Sequence, residues 1–150
     1  MIEIHCPTTA DTLALGRKLA GLLRPGDVVL LAGRLGAGKT VLASGIAEGL
    51  GVSDPVTSPS FVLVRSYVGF LPVVHADLYR LGTSGELEDL ELPETASDGV
   101  LLVEWGNVMT SAAPEDHLMI EMTIRDDESR TVALSPQGTW RTRPIQELIA

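Results

Sequence analysis

The chain has 150 residues, 45% of them hydrophobic, and a formal net charge of −9. That length suits one domain around one buried core. The acidity excludes a broad basic face for gripping nucleic acid, because phosphate neutralisation carries most of such binding. No apolar run reaches membrane-spanning length, the first residues lack a basic-then-apolar leader, and a lone Cys6 excludes an internal disulfide. A cytoplasmic location is the expectation.

In chain order, Ile2 to Cys6 alternates weakly and predicts an edge strand. Thr9 or Asp11 is placed to cap a helix with the stripe Leu15, Leu19, Leu22 and Leu23, ended by Pro25-Gly26. The apolar run Val28 to Ala32 predicts a buried strand, and Val41 to Leu50 a helix stopped by Gly51. Val52 to Ser60 reads as a loop, and Phe61 to Tyr67 with Leu71 to Asp77 as a hairpin turning near Gly69. Short helical pieces are expected between Leu81 and Asp98, with Thr83 to Glu86 as a capping box. Val100 to Val103 has the continuous apolar pattern of a strand buried on both faces. His117 to Arg125 and Arg130 to Ser135 predict a second hairpin, and Pro144 to Ala150 a final helical turn.

Between the first buried strand and its helix lies Gly33-Arg34-Leu35-Gly36-Ala37-Gly38-Lys39-Thr40, a P-loop in the strand–loop–helix setting that motif requires. Glycines let the backbone curl with its N–H groups inward, and the helix that follows adds the positive end of its dipole. Lys39 supplies a charge for the outer phosphates, and the Thr40 hydroxyl is placed to ligate Mg²⁺. The chain is therefore read as binding a nucleoside triphosphate with Mg²⁺. Its fold is expected to be one α/β domain, residues 1–150, of the P-loop NTPase-like three-layer type: a mostly parallel central sheet with antiparallel hairpin strands added.

Such a site needs an acidic residue at the end of a second strand to hold the metal and its waters. Glu104, directly after Val100 to Val103, meets that need. Asp77 closes another strand in His75-Ala76-Asp77-Leu78-Tyr79-Arg80, and a regular strand puts His75 and Asp77 on one face. Asp77 either orients the attacking water, supports the metal shell, or caps the turn that follows; the residues alone leave these open.

Taken together, Gly33 to Thr40, Ser58-Pro59-Ser60-Phe61, His75 to Leu81 and Glu104-Trp105, in this order and spacing, resemble the TsaE family. These are the small bacterial ATPases of tRNA threonylcarbamoyladenosine biosynthesis. The similarity spans about Thr9 to Arg130. The resemblance implies ATP held by Gly33, Gly36, Ala37, Gly38, Lys39, Thr40 and Val41, Mg²⁺ on Thr40 and Glu104, and Lys39, Asp77 and Glu104 as catalytic residues. It further places Thr9 near the adenine, Ser60 and Trp105 beside the nucleotide, and Arg130 on the adenine side. It implies TsaB and TsaD as protein partners, with tRNA met only through them, and hydrolysis that resets the complex between turnovers. Arg34, Ser60 and Gly106 depart from the family pattern, where an acidic or polar residue, Thr and Pro are usual.

A small-molecule kinase would use the same loop, but its lid normally carries arginines. Leu81 to Asp98, the only insertion where a lid could sit, holds Glu86, Glu88, Asp89, Glu91 and Glu94 and no Lys or Arg. A GTPase would carry an Asn/Thr-Lys-x-Asp segment, which the chain lacks.

Overall fold

The computed structural model describes residues 1–56, 64–78, 96–105 and 114–149. The expected helical pieces from Leu81 to Asp98 mostly fall outside these, as do the loop with Ser60 and Gly106. Among the described residues, seven strands form one sheet in the order β1-β7-β6-β2-β5-β4-β3. They are β1 (Ile2–Cys6), β2 (Val28–Gly33), β3 (Val64–Val68), β4 (Pro72–Asp77), β5 (Val100–Glu104), β6 (His117–Ile124) and β7 (Arg130–Gln137).

The centre is parallel: β2 runs beside β5 and β6, and β4 beside β5. The two expected hairpins supply the antiparallel pairs β3–β4 and β6–β7, and β1 closes one edge against β7. β6 therefore does more than the sequence suggested, joining the late hairpin to the parallel core.

Two helices, α1 (Thr9–Ala20) and α2 (Lys39–Gly49), pack on one face through Leu15, Leu19, Leu42, Ala43 and Ile46 against Val29, Leu31, Val73 and Leu102. The opposite face buries Val28, Leu30, Val74, Ala76, Leu101 and Val103 in a second cluster. Buried on both faces, β2 and residues 100–103 of β5 are continuous apolar runs, as strands of parallel sheets generally are. The expected parallel centre with antiparallel hairpin strands added is what the described residues form. No described helix is long and apolar enough to cross a membrane.

The first helix differs from expectation at both ends. Its N-cap is Thr8, not Thr9 or Asp11: the Thr8 hydroxyl accepts from Asp11 N–H, and the Asp11 carboxylate accepts from Thr8 N–H at 2.9 Å. That capping box satisfies donors otherwise orphaned at a helix start. The helix stops at Gly21, ahead of Pro25, because its last turn tightens to Leu22→Leu19 and Leu23→Ala20 backbone bonds. α1 and α2 approach backbone to backbone, since a Cβ on Gly45 would lie 2.4 Å from the Leu13 carbonyl.

After β7 the chain makes two 3₁₀ turns, Gly138–Thr142 and Ile145–Leu148, of which only the second was anticipated. They are pinned by Arg143, whose guanidinium grips both oxygens of buried Asp27 at 2.5 and 2.7 Å and lies 4.0 Å from the Trp140 ring centre. Removing one partner of a buried pair strands the other charge. Arg143→Ala is expected to lose about 3 kcal/mol in denaturant unfolding; a loss under about 1 kcal/mol would show that the pair holds nothing.

Candidate functional site

The glycine-rich loop from Gly33 to Thr40 leaves the end of β2 and wraps the start of α2. Gly33, Gly36 and Gly38 all have positive φ, at 147°, 84° and 104°, conformations that a side chain would resist. At Gly33 a Cβ would also sit 2.7 Å from the Met122 carbonyl, whereas at Gly36 it would meet nothing within 4 Å. Gly33 is thus fixed by packing against β6, and Gly36 opens toward the site. Gly38 is the N-cap of α2 and gives no side-chain cap, so the first N–H groups of that helix are offered to an anion instead.

Lys39 is buried, its Nζ donating to the carbonyls of Gly33 at 2.8 Å and Arg34 at 3.0 Å. The same ammonium lies 3.9 Å from the centre of the Trp105 ring, a cation–π contact. Burial pushes its pKa below the ordinary lysine value, against the opposing pull of the Glu104 and Asp77 carboxylates. Trp105 itself stands in the left-handed region at φ 64°. Such backbone costs about 1–3 kcal/mol and gathers at functional sites.

Val73 faces the helix-side core and Val74, Ala76 and Leu78 the other, so His75 and Asp77 face the helices. By the same alternation Glu104 shares the face of Val100 and Leu102. The β4–β5 register sets Asp77 directly beside Glu104. Both carboxylates are buried, and they converge on the start of α2. There Thr40 Oγ1 donates to Glu104, 3.0 Å from Oε1 and 3.1 Å from Oε2.

This hydroxyl–carboxylate set fits Mg²⁺, which takes one or two carboxylates and leaves its other positions to phosphate and water. Among the described residues, no cluster of three or more His, Cys, Asp or Glu forms a self-sufficient metal cage. The donors match a metal that arrives with a nucleotide.

A cavity of about 140 Å³ opens beside the loop, lined by Thr9, Val41 and Arg130 together with Cys6, Gly36 and Gly38. Three residues far apart in sequence are thus brought together. Arg130 reaches the loop itself, its Nε donating to Ala37 O at 3.0 Å and Nη2 to Gly36 O at 3.3 Å, with a third bond to Glu128 O. Cys6 is buried and desolvation raises its thiol pKa, the mark of a core side chain. Ser60 lies outside the described residues.

Two features escaped the sequence reading. Thr8 and Thr12 join the cavity wall; the Thr8–Asp11 spacing, a capping box with Asp in place of Glu, was the available signal. His75, noted as a face-mate of Asp77 and as the start of the family-like run to Leu81, bonds Glu104 at 2.6 Å, a contact no local pattern announces.

Sheet, loop and carboxylates define a P-loop-like α/β domain. Residues 6–132 match the family model of TsaE, threonylcarbamoyl adenosine biosynthesis protein. The chain is 46% identical over 143 residues to the tRNA threonylcarbamoyladenosine biosynthesis protein TsaE of Streptomyces coelicolor, covering 89% of this chain and 97% of that one. It is 39% identical over 140 residues to the TsaE of Bacillus subtilis, covering 92% and 87%. Among solved structures, the crystal structure of Bacillus subtilis YdiB superposes with a TM-score of 0.83 at 31% identity, covering 98% of this chain and 93% of that one. The chain belongs to the TsaE family.

Proposed function

We propose that this chain binds ATP with Mg²⁺ and hydrolyses it in the modification of tRNA adenosine 37 to threonylcarbamoyladenosine, acting with the TsaB–TsaD pair to reset that complex between turnovers. The observation that carries the reading is Thr40 bonded to both oxygens of Glu104 beside a buried P-loop lysine, in a chain of this family. Mg²⁺ supplies neutralisation of the phosphate oxygens when bound.

In this reading Lys39 exchanges the carbonyls of Gly33 and Arg34 for phosphate oxygens, and the orphan N–H groups of α2 bind the same anion. Thr40 and Glu104 hold the metal side, and Arg130 keeps the loop curled by occupying its outward carbonyls. Thr9 and Val41 wall the adenine side of the cavity. Asp77 orients the attacking water. With a net charge of −9, the protein meets tRNA through its partners rather than directly.

The test is calorimetric titration of ATP and GTP in Mg²⁺ and in EDTA. Tighter ATP binding with Mg²⁺ is expected; no binding of either nucleotide would refute the reading. Asp77→Asn is expected to keep ATP affinity and to slow hydrolysis by about 100-fold, the scale of a positioned proton acceptor. Parental turnover in that variant would return Asp77 to a turn residue.

A further inference from the structure

His75 is fully buried and faces the site, yet it belongs to none of the roles above. Its Nε2 lies 2.6 Å from Glu104 Oε2. Among the described residues, its buried Nδ1 has no hydrogen-bond partner. A carboxylate only accepts, so Nε2 carries the proton and donates, and Nδ1 is the ring nitrogen left unmet. Buried polar atoms are rarely left so; on this face Val73 and Leu102 beside it are apolar, while Asp77 follows two residues on and Arg65 is its register partner on β3. A leucine would fill the place without that cost. What the imidazole provides in return is a fixed carboxylate.

We infer that His75 is a positioning residue that locks the Glu104 carboxylate toward Thr40, so that the metal side of the site is set before nucleotide arrives. Glu104 ends its strand on a side chain with three rotatable bonds. Thr40 sits nearly equidistant from its two oxygens, at 3.0 and 3.1 Å, on the side where the metal would enter. His75 holds Oε2 from two residues further back along the neighbouring strand, where its register partner is Leu102. Hydrogen-bond partners of metal-ligating groups act in this way, and their loss typically weakens metal affinity about 10- to 100-fold. The inference rests on the Mg²⁺–ATP reading.

The experiment measures ATP affinity of the full chain in saturating Mg²⁺ and in EDTA, and takes the ratio, alongside thermal unfolding. In His75→Leu the ratio is expected to fall about 10-fold or more, with EDTA affinity unchanged and the melting temperature no lower. In His75→Gln, whose Nε2 stands the same number of bonds from Cβ as the imidazole Nε2, most of the ratio returns. His75→Asn, one bond shorter, does not restore it. A parental ratio in His75→Leu overturns the inference, and so does equal loss in Gln and Leu. If Leu prevents folding, Gln and Asn carry the comparison, and equal ratios in that pair overturn it. A parent chain that gains nothing from Mg²⁺ refutes the metal reading itself, and that failure shows before any variant is made.

Discussion

Lys39→Ala is expected to lose ATP binding while the protein stays folded. The ammonium sits at the mouth of the loop with two backbone carbonyls as its acceptors and the Trp105 ring above it. Those acceptors are neutral, so replacing them with phosphate oxygens is favourable for a cation already paid for in desolvation. Hydrogen bonds to charged groups contribute about 1.5–3 kcal/mol each. Losing one or two of them weakens ATP by at least about 10-fold, since a decade of affinity is about 1.4 kcal/mol. Thermal unfolding supplies the control, because alanine leaves the buried Glu104 and Asp77 carboxylates without the ammonium. Unchanged affinity by calorimetry, in a folded variant, would remove the P-loop assignment.

Glu104→Ala is expected to abolish the gain that Mg²⁺ gives to ATP binding, and to slow hydrolysis by about 100-fold or more, as befits a metal contribution of several kcal/mol. Affinity in EDTA should be largely kept, because the loop and Lys39 remain. The substitution also deprives Thr40 Oγ1 and His75 Nε2 of their acceptor. Glu104→Gln separates the two effects: it keeps an oxygen for Thr40 and removes the negative charge. If Gln behaves like Ala, charge at the metal is what matters. Equal Mg²⁺ dependence in parent and both variants would move the metal role to Asp77, the register neighbour.

How much of this was legible beforehand follows from the physics of each part. The loop was readable because glycine spacing, a lysine and a hydroxyl must occur in fixed order to curl a backbone around phosphate, and Gly33 to Thr40 do. Glu104 stood out only beside the loop, because a charge at a strand end is common and it is the loop that calls for a carboxylate on a second strand. The parallel centre was visible in the unbroken apolar runs of β2 and β5. Pairing was not: nothing in His117–Ile124 says that β2 lies on its other side, because strand neighbours are set by topology rather than by local pattern. The end of α1 was misplaced since the leucine stripe continues through Leu23, which is buried although the helix has already ended. Arg130 is instructive in another way. The family resemblance put it on the adenine side; it lines the cavity beside the loop, and its hydrogen bonds go to the carbonyls of Gly36 and Ala37. The His75–Glu104 bond, between residues 29 apart on adjacent strands, had no signature at all.

ATP hydrolysis by the purified chain, measured alone and with the TsaB–TsaD pair of the same organism, tests the central claim most directly. The expected result is slow turnover alone, marked stimulation by the pair, and loss of both in Lys39→Ala. A chain that neither hydrolyses ATP faster with the pair nor forms a complex with it on a sizing column would contradict the claim.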